Sequence, residues 1–267
     1  MKLKSAGYTD TGLKRKENED RYLVRQDLGL FVVADGMGGH RAGEVASRMI
    51  VETMVEYWIK VKLRKTPSLL EPVNNELSMR ASHLVNSIHL SNKLIHEAQK
   101  MPEYMRMGST VSAVISEGDA FWLANVGDSP VYLNDRGKLV LISEEHSIAA
   151  EQRSMGLANI SESGKSAFKN MLTRVIGMDE KVEVFTRKIV PEAGDILLLC
   201  SDGLTNYMPE KDISKVLNHS LLPLESKVRA LIDGANKGGG GDNITVVLVE
   251  ILEESRMEKI KNKLKFS

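Results

Sequence analysis

Leu30-Phe31-Val32-Val33-Ala34-Asp35-Gly36 is the stretch on which the reading of the fold turns. Five apolar residues in a row are too few for a helix, and they read as a short buried strand. The strand stops at a carboxylate beside a glycine. The same figure recurs in Asn125-Val126-Gly127-Asp128-Ser129, in Cys200-Ser201-Asp202-Gly203 after the apolar run Ile196 to Cys200, and in Gly241-Asp242-Asn243. A further carboxylate pair, Glu19-Asp20, precedes a strand expected over Arg21 to Val24.

Around these strands lie helical patterns. Val45, Met49, Ile50, Met54, Val55 and Ile59 place a helix from Ala42 to Leu63, and Leu77, Leu84, Ile88 and Ile95 place a second from Val73 to Gln99. The texture then changes. Thr110 to Ile115, Ala120 to Val126 and Val131 to Leu133 are strand-like, with a turn at Asn134-Asp135-Arg136-Gly137. Residues Glu144 to Asn170 are polar and irregular. Ile196 to Cys200 and Ile244 to Val249 are strands, with helices at Pro209 to Asn218 and Leu224 to Asn236 between them. The lysine-rich segment from Glu253 to Lys265 reads as a closing amphipathic helix. Helices and strands come in blocks, which favours an α+β fold with antiparallel sheets over a doubly wound one. No repeat or linker divides residues 1–267, so a single domain is expected.

The bulk composition narrows the function. Hydrophobic residues make up 42% and charged residues 27%, as in ordinary globular proteins. Lys+Arg and Asp+Glu are both 36, so there is no basic surplus to neutralise nucleic-acid phosphates. The lone Cys200 forms no internal disulfide and no thiolate cluster. Neither a signal core nor a membrane-length apolar run is present, and the expected location is cytoplasmic.

An Asp-Gly pair marks a turn as readily as a ligand. Recurrence at strand ends favours the ligand reading, because converging carboxylates repel one another unless cations offset them. Oxygen ligands with no histidine or cysteine among them suit Mg²⁺ or Mn²⁺. The histidines form no site by spacing. His83, His89 and His96 contain no i,i+4 pair, and His146 and His219 have no evident partner. His40, just after Asp35-Gly36, is open to two readings, a proton donor or a structural residue. Arg15, in Lys14-Arg15-Lys16, is either a solvated charge or a bidentate grip for phosphate.

Thr9-Asp10-Thr11-Gly12 with Arg15 and Asn18-Glu19-Asp20, Val33 to His40 with Gly43 to Ser47, Met107-Gly108-Ser109-Thr110, Asn125 to Ser129, Leu172 to Gly177, Leu199 to Leu204 and Gly241 to Thr245 follow one another along nearly the whole chain. In this order they resemble the type 2C (PPM) metal-dependent serine/threonine phosphatases, in the compact bacterial form. The resemblance implies a four-layer α-β-β-α sandwich with two antiparallel sheets. It implies two Mn²⁺ or Mg²⁺ ions sharing an activated water, with a third, weaker ion beside them. Asp35 would bridge the two, with Gly36 lending its carbonyl and Asp202 and Asp242 completing the shell. Asp20 would act through bound waters, Asp128 with Asp202 would hold the third ion, and Arg15 would bind phosphate. Glu144 to Asn170 would be the flap.

The sequence departs from the family pattern at Pro130, at Glu145 and in Lys165 to Asn170. The implied partners are phosphoproteins, including a serine/threonine kinase or its targets, met by a monomer. A cysteine-based phosphatase does not fit, because Asn206 rather than arginine stands six positions after Cys200. No phosphate-binding Gly-Lys-Ser/Thr follows Gly36 to Gly39. A degenerate fold that only binds phosphoproteins is the non-enzymatic alternative, and the presence of Asp35, Asp202 and Asp242 weighs against it.

Overall fold

The computed structural model describes residues 1–38, 42–70, 76–156 and 171–253. Two antiparallel sheets form its centre. The first carries, in spatial order, β1 (Lys2–Asp10), β11 (Ile244–Leu252), β10 (Ile196–Cys200), β7 (Val131–Asp135) and β8 (Lys138–Leu141). The second carries β2 (Asp20–Arg25), β3 (Leu30–Met37), β5 (Val111–Glu117), β6 (Ala120–Val126) and β9 (Phe185–Ile189), with β4 (Gly108–Ser109) pairing to β3. The architecture is the expected α+β sandwich.

Side-chain alternation explains the layers. Phe31 and Val33 of β3 meet Leu197 and Leu199 of β10 and Val247 and Val249 of β11 in the core between the sheets. Val32 and Ala34, one residue out of phase, face helices α1 (Ala42–Lys62) and α2 (Met79–Ala98). Leu198 and Cys200 face α5 (Glu210–Leu217) and α6 (Leu224–Lys237) in a third core. These strands are covered on both faces, which is why they read as unbroken apolar runs. α1 buries Ala46, Ile50, Met54, Tyr57 and Trp58 on one stripe, and α6 buries Leu224, Val228, Leu231, Ile232 and Ala235. Each large side chain so buried contributes roughly 1.5–3 kcal/mol.

Several boundaries differ from the sequence reading. α2 starts at Met79 rather than Val73, because Ser78 caps it by accepting from Ala81 N–H at 3.1 Å. Val73 to Asn75 lie outside the described residues. The stretch expected to be irregular from Glu144 contains helix α3 (Ile148–Ser154), capped by Ser147, before the described residues end at 156. The expected closing helix lies almost wholly outside the described residues. Strand β8 follows the Asn134–Gly137 turn as expected of a turn between strands, whereas β1, β9 and the short helix α4 (Asp202–Thr205) have no counterpart in the sequence reading. No helix among the described residues is long and apolar enough to cross a membrane.

Candidate active site

The site grows from the β2–β3 pair. Asp20 stands opposite Asp35 in the antiparallel register, so both carboxylates leave the same face at the end of the strands. Asp35 follows Val33 on the inter-sheet face, and Asp202 and Asp242 arrive from the first sheet, just past β10 and just before β11. The two sheets therefore deliver acidic groups to one edge of the sandwich. Arg15, Asp35, Gly36, Asp128, Asp202 and Asp242 all line one cavity of about 490 Å³.

The backbone around Asp35 is fixed from several sides. Ser109 Oγ donates to its carbonyl at 2.8 Å, Thr110 N–H donates to the same oxygen at 2.8 Å, and its own N–H donates to Thr110 Oγ1 at 3.1 Å. The Gly108-Ser109-Thr110 segment is thus the holder of Asp35. Asn243 plays the same part for the Arg15–Glu19 loop. Its side chain donates to the carbonyls of Thr11 and Glu17 and accepts from Glu19 N–H, all at 2.9 Å.

Electrostatics set the character of the cavity. Burial, and then the charges of Asp20, Asp202, Asp128 and Asp242, raise Asp35 well above the usual carboxylate range. Burial pushes Asp128 up to about 7, with Asp202 adding to it. Burial also raises Asp202, with Asp242 next in weight. Asp20 is fully buried and pushed up to about 6, although Ser201 Oγ and Thr245 Oγ1 each donate to its Oδ2 at 2.7 Å.

The carboxylates do not form a finished cage. Among the described residues, no group of three or more His, Cys, Asp or Glu side chains converges at ligating distance. They are engaged by the protein instead. Arg15, half exposed, donates to Asp242 Oδ2 at 2.8 Å, and Asp202 accepts from Asn206 at 2.9 Å. Even so, the donor set suits a hard divalent ion. It is all oxygen, its members repel one another, and buried Asp20 Oδ1 and Glu19 Oε1 have no hydrogen-bond partner.

Of the residues singled out from sequence, Arg15, Asp35, Gly36, Asp128, Asp202 and Asp242 come together. Asp20 is buried and does not line the cavity, whereas its neighbour Glu19 does. His40 lies outside the described residues. His83 is structural, its Nδ1 meeting Tyr57 Oη at 2.6 Å.

His146 was missed by spacing. It is 2% exposed, accepts from Gly127 N–H through Nδ1 at 3.0 Å, and meets Arg174 through Nε2 at 3.0 Å. Burial, and then the Arg174 charge, lower its pKa to about 4, so the ring is neutral at physiological pH. It ties the start of the 144–156 segment to the loop that carries Asp128. His146→Ala leaves Gly127 N–H unpaired and opens a void, and it is expected to cost about 2–3 kcal/mol in urea denaturation. A loss below 0.5 kcal/mol would show that the bond to Gly127 does not hold the loop.

The geometry agrees with known proteins. A family model described as protein phosphatase 2C matches residues 14–236. The serine/threonine phosphatase stp of Listeria monocytogenes is 38% identical over 246 residues, spanning 91% of this chain and 93% of its own. Among solved structures, a Streptococcus agalactiae serine/threonine phosphatase superposes with a TM-score of 0.82 at 35% identity, covering 94% of this chain and 100% of that one. The catalytic domain of the serine/threonine phosphatase PstP, solved with two manganese ions, gives a TM-score of 0.74 at 29% identity over 94% of this chain and 99% of that one.

Proposed function

The chain belongs to the protein phosphatase 2C family, and from that premise we propose that Asp35, Gly36, Asp202 and Asp242 hold the divalent ions its catalysis requires. It is a protein serine/threonine phosphatase, and its substrates are phosphoproteins. The non-catalytic alternative is not favoured. The observation that carries the site assignment is the convergence of four aspartates, raised by burial and mutual repulsion or paired to arginine, on one cavity beside Arg15.

Bound at these carboxylates, Mn²⁺ or Mg²⁺ would supply the Lewis acidity that makes water a nucleophile at neutral pH. The protein's own part is placement. Ser109 and Thr110 hold the Asp35 backbone, and Asn243 holds the loop leading to Glu19. Arg15 offers a planar guanidinium to the phosphoryl oxygens from the cavity edge, where it now pairs with Asp242. Asp128, placed by the Gly127–His146 bond, is the residue for a third ion, shared with Asp202. In the cell the activity would reverse a serine/threonine kinase.

The test is release of phosphate from a phosphothreonine peptide. Activity is expected with Mn²⁺ or Mg²⁺, lost on chelation and restored by added metal. Arg15→Lys keeps the charge but loses the fork, and is expected to raise KM about tenfold with a smaller change in kcat. Chelator-insensitive turnover would overturn the metal assignment, and an unchanged KM would remove Arg15 from phosphate binding.

A further inference from the structure

The cavity that gathers the carboxylates is chemically two-sided. Besides Arg15 and the acidic groups it is lined by Met37, Met171, Leu172, Val175 and Met178, an uncharged and methionine-rich wall. Met171 and Met178 are 48% and 51% exposed. Single exposed apolar side chains are ordinary, but several contiguous ones lining a cleft beside charged groups are the lining a binding surface presents.

The wall has a fixed backbone. Met171 carbonyl accepts from Ile148 N–H at 2.9 Å, Thr173 N–H donates to the His146 carbonyl at 2.9 Å, and Ile176 N–H donates to the Ser109 carbonyl at 2.9 Å. One side of the strip is therefore tied to the capped start of α3 and the other to the segment that holds Asp35. It is also continuous with the cavity floor. A Cβ at Gly108 would lie 2.7 Å from Val175 Cγ1 and 3.6 Å from Met37 Cγ, so both side chains border that glycine.

The substrate dictates the occupant. A phosphoresidue seated at Arg15 brings its own neighbours into the same cavity, since one residue spans only about 3.3–3.6 Å of chain. We infer that the Met171–Met178 wall selects phosphopeptides bearing an aliphatic or aromatic residue directly beside the phosphorylated serine or threonine. Methionines suit this role because their unbranched, polarisable chains adapt to apolar partners of different shape. An acidic neighbour would instead meet the carboxylates of the remaining lining. The inference rests on the phosphatase reading above and adds the substrate class to it.

The experiment compares phosphothreonine peptides identical except at the flanking positions, which carry Leu, Gly or Glu, assayed with Mn²⁺. The expected kcat/KM ratio of the Leu to the Gly peptide is about tenfold, the scale of partly desolvating one aliphatic side chain. In the double variant Met171→Ser/Met178→Ser the ratio falls below about twofold, and in Met171→Leu/Met178→Leu it is kept. Because the readout is a ratio within one enzyme, a general loss of activity does not mimic it. A wild-type ratio near one, or a ratio that survives the serine variant, overturns the inference. Hydrolysis of p-nitrophenyl phosphate separates the two levels. A flat peptide ratio with turnover of that ester removes only the apolar preference, whereas no turnover of either substrate removes the phosphatase reading and the inference with it.

Discussion

Asp35→Asn is expected to lower kcat/KM on a phosphopeptide by at least about a thousandfold while leaving the metal-free protein folded. The amide keeps the size of the carboxylate and removes its charge, so the backbone bonds from Ser109 and Thr110 persist. What is lost is the ionisable carboxyl, whose anion burial and four neighbouring aspartates disfavour until a cation offsets them. The same substitution has an opposite effect on stability. Asp35 is raised well above 3.8, Asp20 to about 6 and Asp128 to about 7, so the folded state holds protons that the unfolded chain releases.

The stabilisation from those protons is present below pH 3.8 and is lost as pH rises through 6 to 7. In chelator, the wild-type melting temperature should therefore fall as pH rises across that window. Asp35→Asn should flatten the fall, and Mn²⁺ should reverse it in wild type only. Calorimetric titration with Mn²⁺ should show weakened binding in the variant. Retention of a tenth or more of wild-type turnover, or unchanged Mn²⁺ affinity, would remove Asp35 from the metal site.

The parts of this arrangement that could be read from sequence are those where one local pattern has one physical cause. β3 and β10 are short apolar runs because both of their faces are covered, and α1 and α6 show their buried stripes at helical spacing. β1 was invisible because its residues are mostly half-buried. Its identity comes from nine paired positions along β11, a partner more than two hundred residues away. The different surroundings of Glu19 and Asp20 were hidden for a related reason. Asp20 shares the face of Asp35 by register, yet it is held under the cavity by Ser201 and Thr245, which come from segments some two hundred residues away, while Glu19, just before β2, reaches the cavity lining.

His146 and the Met171–Met178 wall depend on segments that meet only in three dimensions. His146 gains its role from Gly127 and Arg174, and the wall from its ties to Ser109 and Ile148. No spacing rule within either segment reports such a meeting. The Asp-Gly figure itself was legible as a recurrence, yet its turn reading and its ligand reading could be separated only by what surrounds each glycine.

Gly36→Ala and Gly203→Ala make that separation measurable. Neither glycine is in a turn: Gly36 lies within β3 and Gly203 within α4. Neither has the positive φ that would make glycine a conformational necessity, so what each supplies is space. A Cβ on Gly36 would stand 2.0 Å from the Gly43 carbonyl oxygen and 2.7 Å from that of Glu19, pressing the start of α1 away from the β2–β3 pair. A Cβ on Gly203 would stand 1.9 Å from the Asn243 carbonyl oxygen, wedging Asp202 apart from Asp242. Backbone atoms are the obstacles in both places, so no side-chain rotation relieves the clash.

Each substitution is expected to cost about 3 kcal/mol or more in urea denaturation and to reduce activity further by displacing the neighbouring aspartate. Gly118→Ala is the contrast. Gly118 has φ +64° with nothing within 4 Å of its Cβ position, so only the left-handed backbone is penalised, at about 1 kcal/mol, with turnover unchanged. If alanine at positions 36 and 203 cost no more than at 118, these glycines would be ordinary breaks in the chain. A much larger loss at 36 and 203 means that they are points of close backbone approach, where β3 meets the start of α1 and α4 meets the segment leading into β11, beside Asp35, Asp202 and Asp242.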